Sequence, residues 1–355
     1  MADSDLKRKQ EMLSLAYAAG SPAPLTGNVR KVNEGALAIV RCVLDQAPAV
    51  QGQWDLVWGP VVDTFPFSAF SDNTMFVAKS TTEADTWTIA IAGTNPDSIS
   101  DWLIEDFWID PLVPWPYGDP HADLAPKIAK GTSTGLRSLQ SMLPLSGIPG
   151  ACELLIEFLH REVAAAGGEV TLHVTGHSLG GALAPTLALW LTDTQGTGEG
   201  SWDPDLKATV KCTAFAGPTA GNGDFKTWSD SRLTGDKLLV VDNTIDIVPH
   251  AWNTDTLEQI PTLYLPRVFL PLKLSAAVYA LAKLVAPLDY QKIGTGDQVQ
   301  PIAGTVQPEP PGKAVQRFLE EAGYQHVVAY PEALDLPDLR PVIQKCQDRV
   351  VKGQG

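Results

Sequence analysis

Apolar and polar positions along the chain mark out alternating strands and helices. WDLVWGPVV at residues 54–62 and TMFVAK at 74–79 are short runs rich in β-branched and aromatic residues, and they predict strands. WTIAIAG at 87–93 is apolar almost without a break, the pattern of a strand covered on both faces. Helical spacing appears at 133–143 and returns over ACELLIEFLHREVAAA at 151–166, where Gly167 and Gly168 stop it. EVTLHVTG at 169–176 reads as another strand, and GALAPTLALWLTD follows with helical spacing. TVKCTAFAG at 209–217 and KLLVVDN at 237–243 add two strands, with a helix at 222–231 between them. This alternation predicts an α/β fold: a mostly parallel central sheet with helices on both faces. In such a fold ligand chemistry belongs beyond the carboxyl ends of the strands.

Composition narrows the picture further. The 355 residues contain no repeat of fixed period and no low-complexity linker, so a single domain over 1–355 is expected. Lys and Arg total 26 against 41 Asp and Glu, and a net charge of -15 repels nucleic acid at long range. No nucleic-acid partner is expected. MADSDLKRKQEMLSLAYAAG has charges in its first ten residues and only a short apolar stretch after them. It reads as an amphipathic helix rather than a secretory signal, which predicts a cytoplasmic protein or one exported by a leaderless route. The apolar stretch at 268–287 is interrupted by Pro271, Lys273 and Lys283 and does not suit a membrane span. Cys42, Cys152, Cys212 and Cys346 lie far apart, without the spacing of a zinc site. They are expected as small buried hydrophobes, with pairing left open, and no metal or organic cofactor is implied.

The strand EVTLHVT runs into Gly176-His177-Ser178-Leu179-Gly180-Gly181, a G-x-S-x-G sequence between strand and helix. That is the position of a nucleophile elbow, where small residues two before and two after the serine let strand and helix approach. The helix starting at Leu179 would aim unsatisfied N–H groups and its positive dipole end at a developing oxyanion. A second donor is needed from the loop after an earlier strand. Thr94, next to Gly93 at the end of WTIAIAG, fits with a backbone N–H and a hydroxyl.

A serine hydroxyl needs a base, and the base needs an orienting carboxylate. In α/β-hydrolases the chain order is serine, acid, histidine. His121, His160, His173 and His177 do not follow Ser178, which leaves His250 and His326. His173 and His177 are expected to be structural. His250 is only four residues from Asp246, whereas members of a triad come from separate strand ends, so His326 in AGYQHVVAYP is the expected base. For the acid, Asp242 and Asp246 both follow KLLVV. Asp246 is preferred for its stiff, apolar setting of Ile245, Ile247, Val248 and Pro249, while Asp242 is better placed to cap the turn.

With these residues assembled, the sequence resembles the class 3, fungal-type lipases, which have the α/β-hydrolase fold. TGHSLGGALA at 175–184 is similar to that family's nucleophile block, and TAFAGPTAGNGDF at 213–225 to its F-G-x-P-x-x-G-N-x-x-F segment. TIDIVPH at 244–250 resembles the D-x-V-P acid loop, and AGTNPDSISDW at 92–102 the oxyanion segment. The resemblance spans about residues 54–335. Ala92 replaces the Arg usual before the oxyanion Gly-Thr, Thr94 to Asp101 is somewhat long, and the 80 residues from Asp246 to His326 imply an insertion.

The resemblance implies a carboxylic ester hydrolase, most simply a triacylglycerol-type lipase meeting its lipid ester substrate at an oil–water interface. Its catalytic residues would be Ser178, Asp246 and His326, with Thr94 and Leu179 forming the oxyanion hole. A phospholipase A1 or a short-chain or feruloyl-type esterase would use the same triad. From another class comes a catalytically silent scaffold that binds lipid or protein. Two segments could serve as a lid: 102–120, where Trp102, Phe107, Trp108, Ile109, Leu112, Val113 and Trp115 gather, and 260–288. In the second, Leu274, Ala277, Val278, Leu281, Leu284 and Val285 form one helical stripe, as expected for packing on the domain or for a mobile cap.

Overall fold

The computed structural model describes residues 2–63, 73–92, 111–196, 198, 201–308 and 312–353. Its strands are β1 Trp54–Val62, β2 Thr74–Ser80, β3 Thr86–Ile91, β4 Leu112–Pro114, β5 Lys127–Ala129, β6 Val170–His177, β7 Ala208–Phe215, β8 Leu238–Asn243 and β9 Val299–Ile302. Seven of them form one sheet in the order β1-β2-β3-β6-β7-β8-β9. β1, β2 and β3 pair antiparallel, and every pair from β3 to β9 is parallel. β4 and β5 pair separately. The parallel register sets Ile91 opposite Gly176 and His177 opposite Phe215, so β3, β6 and β7 end at one edge of the sheet.

The helices are α1 Ala2–Gly20, α2 Val29–Gln46, α3 Lys130–Ser141, α4 Leu155–Ala165, α5 Leu179–Thr194, α6 Gly223–Arg232, α7 Leu272–Val285, α8 Ala314–Gly323 and α9 Leu339–Gly353. Alternation along the strands divides them between two cores. Met75, Val77, Ile89 and Ile91 face α3, α4 and α5. Phe76, Ala78, Ala90 and Ala92 face α1, α2 and α9. A third cluster gathers α7 and α8 around Ile247, Val248, Tyr264 and Val268.

The predicted strands and helices are present, with small differences at their ends. Helix α2 is an addition: Asn28 caps it by accepting from Lys31 N at 2.9 Å, and Val32, Ala36, Ile39, Val40 and Val43 bury one side. Helix α9 and the short edge strand β9 are also additions. Helix α1 departs from the amphipathic expectation, because residues 11–16 are buried on every side between the sheet, α2 and the segment carrying His326. The cysteines are not all lone hydrophobes. Cys42 and Cys346 form a disulfide that ties α2 to α9 across 304 residues of sequence, Cys212 is buried, and Cys152 is exposed. The buried stripe of α7 is Val278, Leu281, Ala282 and Val285, so Ala277 and Leu284, both expected in it, lie outside.

Candidate active site

Strand β6 ends at His177 and α5 begins at Leu179, leaving Ser178 as the single joint between them. Ser178 has φ 62° and ψ -127°, a backbone state costing about 1–3 kcal/mol in a non-glycine residue. Two bonds hold it there: Ser178 N donates to Phe215 O at 3.0 Å, and Gly181 N donates to Ser178 O at 2.8 Å. The turn is tight enough to exclude side chains. A Cβ on Gly176 would lie 2.2 Å from Gly180 O, and one on Gly180 would lie 2.4 Å from Ile91 O. Leu179 occupies the first position of α5, where an N–H has no partner inside the helix and the positive end of the dipole is directed at Ser178.

The carboxylate comes from the loop after β8. Asp246 is fully buried and caps a single helical turn, Ile247–His250, its Oδ1 accepting from Val248 N at 3.0 Å. Its Oδ2 accepts from His326 Nδ1 at 2.7 Å and from the Tyr330 hydroxyl at 2.9 Å. Three donors therefore satisfy a carboxylate that would otherwise be costly to bury. Burial and the charges of Asp246 and Asp242 hold Tyr330 well above the usual phenol range, so it remains an O–H donor. Its oxygen also accepts from Asn243 N at 2.9 Å, joining the acid loop to the end of β8.

His326 is buried on a π-helical turn, Tyr324–Val328, that continues from α8. With Nδ1–H given to Asp246, the neutral ring carries its lone pair on Nε2. That Nε2 is buried and has no hydrogen-bond partner among the described residues. Asn243 Nδ2 fixes the turn by donating to Gln325 O at 3.0 Å and to its Oε1 at 2.7 Å. Tyr17 of α1 donates to Val327 O at 2.9 Å. His177 links this half to Ser178, its neighbour in sequence: its ring centroid is 4.7 Å from that of His326, and its Nε2–H donates to His326 O at 2.9 Å. Burial holds His177 well below the usual imidazole range, so it remains a neutral donor.

Asp246 and His326 are thus brought together, and the immediate neighbour of Ser178 is bonded to His326. The other candidates are engaged elsewhere. Asp242 is paired with Lys292 at 2.5 Å, and burial raises its carboxyl. His250 Nδ1–H donates to the backbone oxygen of Asp246 at 2.8 Å rather than to its carboxylate. His173 is buried in β6 and pushed down to about 3 by that burial. Thr94, Asp101, Trp102, Phe107, Trp108 and Ile109 lie outside the described residues. Ala92, shortly before Thr94, lies against Gly180. Farther on, β4 pairs with β5, and buried Trp115 donates from its indole to Asp193 Oδ2 at 2.9 Å, so Leu112–Trp115 belongs to the body of the protein. The sequence reading misses Tyr330, although its place four residues after His326 puts both on one helical face. It also misses Asn243 and Tyr17, for which no local signal exists.

A mostly parallel sheet with a strained serine between strand and helix, and a histidine–carboxylate pair supplied from later in the chain, defines an α/β-hydrolase. The family described as Lipase (class 3) matches residues 88–256. The crystal structure of M37 lipase is similar over 96% of this chain and 98% of that one, at 34% identity and a TM-score of 0.83. A triacylglycerol lipase from Penicillium expansum aligns over 85% of this chain and 79% of that one, at 18% identity and a TM-score of 0.45. No curated protein matches the chain. The chain belongs to the class 3 lipases and is a carboxylic ester hydrolase.

Proposed function

We propose that the protein cleaves acyl esters of the triacylglycerol type through an acyl-enzyme on Ser178. The observation that carries this reading is the His326–Asp246 bond of 2.7 Å with His326 Nε2 left without a partner among the described residues. His326 Nε2 takes the Ser178 hydroxyl proton as Oγ attacks the ester carbonyl carbon. The resulting tetrahedral oxyanion is held by the N–H of Leu179 and by Thr94, each donor worth about 3 kcal/mol in comparable sites. The imidazolium returns the proton to the departing alcohol, and Asp246 stabilises the charged ring meanwhile. Water activated by His326 then attacks the acyl carbon, releases the fatty acid and restores Ser178.

Hydrolysis of p-nitrophenyl esters of increasing chain length, with a triacylglycerol emulsion alongside, tests this reading in wild type and Ser178→Ala. Serine-dependent turnover of long chains and emulsion is expected. Turnover confined to short soluble esters would make the protein an esterase. Unreduced turnover in Ser178→Ala would remove the serine mechanism.

A further inference from the structure

Two helices of this fold are rich in apolar residues on more than one side, and such a helix is normally buried on those sides. Helix α5 obeys the rule, with residues 180–191 all buried. Helix α7 does not. It buries Val278, Leu281, Ala282 and Val285, yet its opposite side presents Leu272, Ala276, Tyr279, Ala280 and Leu284 to solvent. Leu272 is 88% exposed and Leu284 62%, and just before the helix Leu265 and Phe269 are exposed at 50% and 56%. Elsewhere on the described surface, large apolar side chains are exposed as scattered residues such as Val29, Leu143 and Leu206. A concentrated patch on an otherwise ordinary surface marks an interaction site.

Charge identifies the partner. From residue 259 to residue 288 there is no Asp or Glu, in a chain that carries 41 of them, and the same stretch holds Arg267, Lys273 and Lys283. Carboxylates are thus missing where they would repel a negative surface, and Lys273 and Lys283 are exposed on the helix that bears the leucines. An apolar helix side bearing cations at both ends is the make-up of a helix that lies in a lipid interface, its leucines among acyl chains and its lysines at headgroups. Beneath it, the third core cluster includes Ile247 and Val248, directly after Asp246, and Phe318 and Ala322, on the helix leading to His326.

We propose that the exposed side of α7, with Leu265 and Phe269, is a docking surface for a phospholipid interface with negative headgroups, placed on the same arm of the protein as the acid and base. The proposal extends the lipase reading above, and its test is separable from that reading. The full-length protein is floated with vesicles of phosphatidylcholine containing about one-third phosphatidylglycerol, and p-nitrophenyl acetate hydrolysis in free solution is followed in parallel. Wild type is expected to float. Leu272→Glu/Leu284→Glu should reduce vesicle partition about tenfold or more while hydrolysis of the soluble ester is unchanged. Lys273→Gln and Lys283→Gln should each cost about fivefold on the negative vesicles and nothing on pure phosphatidylcholine.

Wild type that fails to float, or a double leucine variant that floats as well as wild type, would overturn the proposal. So would sedimentation showing a wild-type dimer that the leucine variant dissolves with vesicle binding unaltered, since the patch would then be a self-contact. Absence of ester hydrolysis with vesicle binding intact would break the Ser178 mechanism and leave the surface standing.

Discussion

Ser178 takes its conformation from its own strand, its own helix and the carbonyl of Phe215, whereas His326 is held by side chains drawn from distant parts of the chain. Asp246 bonds its ring and is itself bonded by Tyr330, while Tyr17 of the amino-terminal helix and Asn243 of β8 hold its neighbours Val327 and Gln325. One half is backbone geometry enforced by glycines, and the other is a web of buried polar contacts. They should fail differently. The backbone half tolerates no added atom, while the polar half loses function in steps as single bonds are removed.

The largest effect expected is on the chemistry. Ser178→Ala should lower kcat by about four to six orders of magnitude with the thermal unfolding midpoint little changed, as checked by steady-state kinetics and calorimetry. Next comes the backbone half itself. Gly180→Ala would drive a Cβ to within 2.4 Å of Ile91 O, a backbone atom that cannot swing aside. It should destabilise the fold by about 3 kcal/mol or more, read as a lowered urea midpoint or loss of soluble protein. A Gly180→Ala protein of wild-type stability would break the contrast, because the elbow would then be as pliant as the arm.

The same contrast explains what could be read in the sequence. The elbow is spelled in six consecutive residues, because a tight strand-to-helix turn needs small residues at fixed positions. Asp246 could be read from its place after an apolar strand, and His326 from chain order. The web around them could not, since nothing near Tyr17 says that its hydroxyl will meet Val327, 310 residues away. The Cys42–Cys346 bridge is hidden for the same reason. Helix α1 deceived differently: its pattern suits a surface helix, but α2, the sheet and the segment carrying His326 enclose it. Helix α2 is absent from the sequence expectations although it carries a plain Asn28 cap and an apolar stripe, whereas β9, four residues at the sheet edge with Pro301 among them, offers too little pattern to identify.

A smaller effect sharpens the view of the polar half. Tyr330→Phe removes a donor to Asp246 Oδ2 and an acceptor for Asn243 N without changing the ring. Stability should fall by about 1–3 kcal/mol, and kcat should drop about threefold to tenfold with KM nearly constant, because the hydrogen bond between His326 and Asp246 remains. A loss as large as that of Ser178→Ala would mean that the arm has no partial states and collapses as one unit.

The smallest effect concerns β6, the strand that leads into Ser178, and is a matter of pH. His173 is neutral when folded because burial pushes its pKa down to about 3, while in the unfolded chain it takes up a proton near pH 6.5. Below about 6.5 the unfolded state therefore binds more protons, and stability falls as pH falls, by about 1.4 kcal/mol per pH unit for this one group. Burial lowers His177 and His250 as well, so they act with the same sign. Urea midpoints taken between pH 7.5 and 5 should decline for wild type, and the decline should be shallower by about 2 kcal/mol at pH 5 in His173→Gln. The slope is the informative quantity, since the substitution can shift absolute stability at every pH. Equal slopes would mean that His173 gains a proton without leaving the sheet, and that β6, from which the rigidity of the elbow derives, yields as readily as the arm that carries His326.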